Sequence, residues 1–381
     1  MNRTRVIVAP SDNVIALSVI RSLGRKGFHV VAVSTGRGLA HRSRYCCEVV
    51  YTRADRLADA VLEAARTRPD SFLICLGEPE ILALNVRRAE LERFARLLFP
   101  DSRSFALALN KDQTVALARQ AGIPVPRTVA LADDPDLISC QELTFPVVIK
   151  PKQQDVLPFK VKYAATKEEL VKELNAMKEH WALLLVQERA AGSGVGIEIL
   201  IHHGKTVLAF QHRRIREDPP SGGVSVCCIS ESMDPQLLAW SEKLLNAMEW
   251  EGVAMVEFKV DRSTGRVALM EVNGRFWGSL PLAIHAGADF PAALVSCNME
   301  GTDWQARAYK VGLQCRRLIG ETKWLVNVVR DGALPFWQAV KAYVSGFQPG
   351  MTYYIWDWRD PLPAVVALLK RARLISSSWH E

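Results

Sequence analysis

The chain has 381 residues, enough for two or three cooperating lobes around more than one core. Its apolar and charged fractions, 49% and 23%, are ordinary for a globular protein, and no run is long and apolar enough to read as a membrane-spanning helix. A net charge of +7 without a concentrated basic stripe or a reader motif argues against a nucleic-acid binder and fits an enzyme that draws anions into a cleft.

The opening Met-Asn-Arg-Thr-Arg runs into VIVAP, too short for a signal h-region, so a cytoplasmic protein is expected. The eight cysteines include the adjacent pairs Cys46-Cys47 and Cys227-Cys228 but no CxxC. They are expected to be reduced core or half-core residues.

Val6–Val33 reads as strand, helix, strand: VIVA, then Val14, Leu17, Ile20 and Leu23 at helical spacing with Gly27 as a stop, then HVVAV. The first turn, Pro10-Ser11-Asp12-Asn13, lacks GxGxxG and gives no dinucleotide signal. A further apolar run, Phe72–Leu76, ends at Gly77-Glu78-Pro79-Glu80. Ligands of open α/β sheets sit beyond strand carboxyl ends, which makes Glu78 a candidate substrate contact; the alternative is an acid favoured at a helix N-terminus.

A new unit begins near Asn110, with a helix over Lys111–Gln120. FPVVIKP at Phe145–Pro151 reads as a strand ending in Lys150, Thr166–Lys178 as a helix and Leu183–Glu188 as a strand. Gly192-Ser193-Gly194-Val195-Gly196 reads as a turn; it opens a strand, so no helix N-terminus is available to hold an anion. Ile197–Ile201 and Thr206–His212 read as strands around His202-His203-Gly204-Lys205. Next come Arg213, Arg214 and Arg216, then the glycine passage Ser221-Gly222-Gly223; Arg214 and Arg216 are expected on one strand face. Surface arginines are the competing reading.

The densest chemistry lies in VAMVEFKVD-RSTG-RVALMEVNGRFWG, Val253–Gly278. Both halves alternate with period two, and Ser263-Thr264-Gly265 suits a hairpin loop with Gly265 left-handed. Folded there, Glu257 faces Glu271, Val256 faces Val272 and Phe258 faces Met270, leaving Glu257, Glu271 and Asn273 on one side. Like charges directly opposite destabilise a sheet, and a divalent cation would reverse that. Oxygen-only donors suit Mg²⁺, and Arg275 follows on the same alternation to meet a phosphate. A solvated hairpin face is the bland alternative. The region beyond Lys310, rich in Trp and Pro, carries no assignable chemistry; its Lys370-Arg371-Ala372-Arg373 reads as a solvated helix end rather than a lipid or nucleic-acid patch.

MEVNGRFWG with VEFKVD before it resembles the metal-binding end of ATP-grasp enzymes, which join a carboxylate to a nucleophile through an acyl phosphate. KDQTVALARQAGIPVPRT resembles the segment that opens their small ATP lobe, FPVVIKP their lysine strand and LLVQERAAG their adenine hinge. The resemblance covers about the first four fifths of the chain. It implies a mixed α/β and α+β fold of the carbamoyl-phosphate-synthase and biotin-carboxylase kind. A Rossmann-like lobe would span 1–109, an ATP-grasp core 110–309 (small ATP lobe 110–190, metal-binding lobe 191–309) and an appendage 310–381.

The resemblance also implies roles. Lys111 and Lys150 would hold ATP phosphates. Glu188, Arg189 and Ala191 would line the adenine, and Glu198 would approach the ribose. Glu257, Glu271 and Asn273 would carry Mg²⁺ or Mn²⁺. Arg275 and Arg216 would meet the transferred phosphoryl group, Arg214 a substrate carboxylate, and Ser221 and Gly222 an acceptor loop. The implied reaction is ATP-dependent ligation of a small carboxylate to an amine, with ADP and phosphate released; the enzyme is allowed to be a homodimer. One departure is the loop Lys150–Pro158, which lacks the glycines of many relatives. A bicarbonate-using carboxylase and a non-catalytic ATP- or metabolite-binding protein are the rival readings.

Overall fold

The structure, a computed structural model, describes residues 3–36, 38–131, 139–153, 156–159, 161–220, 223–301, 304–348 and 350–377. The first sheet is parallel, in the order β3-β2-β1-β4-β5, from β1 (Arg5–Ala9), β2 (His29–Ser34), β3 (Glu48–Tyr51), β4 (Ser71–Cys75) and β5 (Ala95–Leu97). Every residue of β1 and β4 is buried, as expected of parallel strands covered on both faces. The helix Val14–Arg25 starts where the sequence indicates: Asn13 caps it by accepting from the Ala16 N–H. The helix Glu78–Val86 follows β4 directly, with Glu78 in its first turn.

A four-stranded antiparallel sheet follows, from β6 (Thr128–Ala130), β7 (Val147–Pro151), β8 (Lys162–Ala164) and β9 (Leu184–Glu188), in the order β6-β9-β7-β8. It has a core of its own, in which Val147, Ile149 and Val186 pack with Leu170 and Leu174 of the helix Lys167–Asn175. That leaves the alternate residues Lys150 and Gln187 on the opposite face.

The third sheet holds seven strands: β10 (Ser193–His202), β11 (Lys205–Asp218), β12 (Val224–Glu231), β13 (Gly252–Asp261), β14 (Arg266–Asn273), β15 (Gln314–Arg316) and β16 (Thr352–Tyr353). Their order is β14-β13-β10-β11-β12-β15-β16. The expected turn at Gly192–Gly196 is corrected here. β10 already begins at Ser193, and Gly194 and Gly196 lie inside it because neighbouring side chains cross there. A Cβ on Gly196 would come within 2.4 Å of His212 Cε1, and one on Gly194 within 2.8 Å of Arg214 Cδ.

The Trp/Pro-rich region is tied into both large sheets. β15 and β16 extend the seven-stranded sheet, and Tyr354 lies in its core. The buried Asp360 accepts from Arg21 Nε at 2.8 Å, Ser43 Oγ at 2.6 Å and the Arg44 N–H at 3.0 Å. The helix Leu362–Ser377 ends the described chain. Among the described residues no single helix is long and apolar enough to cross a membrane.

Candidate nucleotide and metal site

One face of the seven-stranded sheet changes character along its strands. Leu200, Leu208, Phe210, Val253 and Met255 belong to a shared apolar core. One or two steps further along the same face stand Glu198 and His212, and then Gly194, Arg214, Glu257 and Lys259. Two-residue alternation keeps them all on one side. Glu257 lies opposite Glu271 and Val256 opposite Val272, and Gly265 turns the hairpin at φ 71°. The pairing beyond them differs from expectation. Phe258 lies opposite Leu269 in the register that runs from the turn, and a bulge then leaves Met270 as an extra residue and brings Glu271 opposite Glu257. Leu269, rather than Met270, thereby enters the core.

The two carboxylates are electrostatically unequal. Burial pushes the Glu257 carboxyl up, and the Glu271 charge adds to that, while Arg214 opposes it. Burial acts on Glu271 in the same sense, but Lys111, Lys150 and Arg214 outweigh it and hold its carboxyl below the usual range. Lysines of the segment 111–150 and carboxylates of the 257–273 hairpin therefore share one field. Lys150 is almost wholly buried, and burial brings its amine down to about 8 despite the nearby Glu271 charge. Its Nζ donates to Gln187 Oε1 at 2.7 Å, and Gln187 Nε2 donates to Thr128 Oγ1 at 2.7 Å. Gln187 alternates with Glu188 and by that pattern alone is a core-facing residue; its pairing with Lys150 gives it a part in the site. Its one signal in the sequence is an uncharged polar side chain closing the apolar run LLV. Lys111 opens the helix Lys111–Gln120 under the cap of Asn110, and its backbone N–H donates to Lys152 O at 2.9 Å, which fixes it beside the end of β7.

Other expected residues land differently. Arg214, expected at a substrate carboxylate, donates to Glu257 and, at 3.0 Å, to Glu217, so both Nη atoms are engaged within the cluster. Arg216, expected on the Arg214 face and at the phosphoryl group, makes its contacts elsewhere. β11 pairs irregularly between Arg214 and Arg216, and Arg216 donates to Glu321 and Ala342 O beneath the Trp324 ring. Glu198, expected at the ribose, is fully buried on a central strand. It stands 2.9 Å from His212 Nδ1 and accepts from Ser279 Oγ at 3.0 Å, leaving no surface for a ligand.

At the expected hinge, the Glu188 N–H donates to Arg127 O and the Arg189 N–H to Pro146 O, while Glu188 Oε1 accepts from the Thr144 N–H at 2.8 Å. Arg189 stacks over Tyr163, and Ala191 is exposed. Arg275 and Glu78, read as separate candidates, form an ion pair at 3.0 Å. Ser221 and Gly222 lie outside the described residues.

The donor set fits a hard divalent cation. Glu257, Glu271 and Asn273 present only oxygen acceptors on one face, apart from the Asn273 amide that donates to Glu271 at 3.2 Å. Opposed carboxylates with lysines beside one of them also suit the phosphates of a nucleotide, whose charge the lysines complement and the carboxylates repel unless a cation lies between.

Residues 180–319 match the family model described as ATP-grasp in the biosynthetic pathway with Ter operon. No curated protein matches the chain in sequence. In fold it is similar to biotin carboxylase from Campylobacter jejuni in a β-γ-ATP complex. That structure shares 15% identity and a TM-score of 0.65, over 82% of this chain and 74% of that one. It is also similar to L-amino acid ligase from Bacillus licheniformis, with 17% identity and a TM-score of 0.58 over 77% of this chain and 73% of that one. A third likeness is to phosphoribosylglycinamide synthetase from Anaerococcus prevotii, with 14% identity and a TM-score of 0.61 over 82% of this chain and 80% of that one.

Proposed function

We propose, from the premise that the chain belongs to the ATP-grasp superfamily, that it is an ATP-dependent ligase that couples a small carboxylate to an amine. The observation that carries the proposal is the meeting of Lys111 and Lys150 with the opposed Glu257 and Glu271, the former shaped for phosphates and the latter for a divalent cation.

In the proposed reaction a substrate carboxylate oxygen attacks the γ-phosphorus of ATP and the bond to the β-phosphate oxygen breaks, releasing ADP. The amine nitrogen then attacks the acyl carbon, phosphate leaves with the former carboxylate oxygen, and the amine loses a proton. Mg²⁺ or Mn²⁺ held by Glu257, Glu271 and Asn273 would supply neutralising charge at the phosphate oxygens. Lys111 and Lys150 hold and orient those oxygens. Gln187 fixes the Lys150 ammonium. Glu78 holds the Arg275 fork at the end of β14, aimed at the transferred phosphoryl group. Glu188, Arg189 and Ala191 line the adenine, with the Glu188 carboxylate as an acceptor for the base. Arg214, which donates to Glu257 and Glu217, would meet the substrate carboxylate once a cation took up the Glu257 charge.

The test screens carboxylates and amines in pairs for ADP formation, with product mass as readout and Glu271→Gln as control. The proposal expects an amide product of the wild type, no turnover by the variant, and a hydroxamate when hydroxylamine replaces the amine. If bicarbonate, but no organic acid, drives ADP release, the carboxylase reading replaces this one.

A further inference from the structure

The far ends of the strands that carry the charged cluster hold a second constellation. His202 and His203 lie at the tip of the β10–β11 hairpin, and Glu251 lies in the segment leading into β13. One ligand atom from each falls within 4.8 Å of the others. The carboxylate already organises both histidines: Glu251 Oε1 stands 2.6 Å from His202 Nδ1, and Glu251 Oε2 accepts from the His203 N–H at 2.9 Å. The two rings lie against one another with centroids 3.9 Å apart.

The turn itself sets the two rings side by side. His202 pairs with Lys205, so the loop is the two residues His203-Gly204, with φ of 51° and 71°. A type I′ turn of this kind is most cheaply made by Asn-Gly. The chain instead holds a histidine there, one of the residue types that enter the left-handed region more readily than most, beside a second imidazole and a carboxylate. No step of the proposed reaction uses it. Glu257 is five residues along β13 from Gly252, about 17 Å at ~3.4 Å per residue.

We infer that His202, His203 and Glu251 form a binding site for a borderline transition metal ion such as Zn²⁺, distinct from the oxygen-donor cluster at Glu257 and Glu271. Two imidazoles and one carboxylate are the donor set that such ions take and that Mg²⁺ does not. Donors on one tetrahedral Zn²⁺ stand about 3.3 Å apart, from bonds of about 2.0–2.1 Å. The present spread closes by roughly 1 Å to 1.5 Å, within reach of side-chain rotation at half-buried and exposed residues. Occupied, the site clamps the β10–β11 turn to the start of β13 and ties together the three strands that carry Gly194, Arg214 and Glu257.

The test uses the untagged full-length protein, stripped with chelator and titrated with Zn²⁺ in a large excess of Mg²⁺, which holds oxygen sites and does not compete for imidazole. Wild type is expected to bind one equivalent. His203→Asn, which keeps the left-handed turn, and Glu251→Gln are expected to bind at least about tenfold more weakly. Glu271→Gln retains wild-type Zn²⁺ binding. Co²⁺ gives the second readout, with d–d absorption and paramagnetic shifts of two imidazoles in wild type, neither of which depends on the variants folding. The inference is overturned if wild type binds Zn²⁺ no more tightly than His203→Asn and Glu251→Gln, if Glu271→Gln alone loses it, or if Co²⁺ shifts no imidazole resonance.

Discussion

Arg275 and Glu78 are 197 residues apart in sequence and form an ion pair at 3.0 Å. The pair joins the chain just beyond β14 to the helix Glu78–Val86 that follows β4, so an element of the first sheet's layer reaches the candidate site. Arg275 keeps one further contact, donating to Phe276 O at 3.1 Å. Its fork is therefore held from both sides.

The first prediction follows from that geometry. Arg275→Lys keeps the charge but loses the fork. Its kcat for ADP formation should fall about tenfold or more, about 1.4 kcal/mol of transition-state stabilisation, with a smaller change in ATP affinity. Glu78→Gln should lower kcat as well, and the two changes should be non-additive by at least about 0.5 kcal/mol in a double-mutant cycle. Additive effects would show that Glu78 does not act through Arg275.

Lys150 predicts a pH dependence. Burial lowers its amine from 10.5 to about 8. The ammonium is the form that meets phosphates, so ATP affinity should fall as pH rises through about 8. The sign for stability is opposite. The unfolded chain binds the extra proton between about 8 and 10.5, so this group's contribution to stability rises with pH over that window. Gln187→Glu sets a carboxylate where the amide now accepts from Nζ, and should move the affinity limb upward by about one to three pH units. Calorimetric ATP titrations across pH measure both, and a limb that stays in place in Gln187→Glu removes Lys150 as its origin.

Arg216 predicts a structural effect. It donates to the fully buried Glu321, which also accepts from Arg316. Arg216→Ala leaves that cluster short of a cation and should cost about 3 kcal/mol, read as a lower unfolding midpoint in denaturant. ATP affinity should stay within about threefold, under 1 kcal/mol. A loss of nucleotide binding without a loss of stability would return Arg216 to the phosphoryl site.

Glu198 makes a parallel case. With His212 2.9 Å away and Ser279 donating to it, Glu198→Gln disturbs a buried network and should lower the melting temperature. The ratio of affinities for ATP and its 2′-deoxy analogue should be unchanged. A selective loss for the ribonucleotide would restore the ribose role.

The sequence by itself determined what short-range physics encodes. Period-two alternation put Glu257 and Lys259 on one face of β13 and Glu271 and Asn273 on one face of β14, the Asn13, Asn110 and Thr166 caps started their helices, and FPVVIKP became a strand with Lys150 one residue from its end. Each rests on residues a few positions apart, whose relation the backbone geometry constrains. Tertiary structure alone decided which distant groups became partners. Gln187 reaches Lys150 because β7 and β9 pair, and Arg216 turns to Glu321 because the last region returns to the large sheet. Glu198 is buried because its strand lies between β11 and β13. The extra residue Met270 belongs to the same class: a bulge answers to how Leu269 fits a core assembled from many segments, which no local period carries.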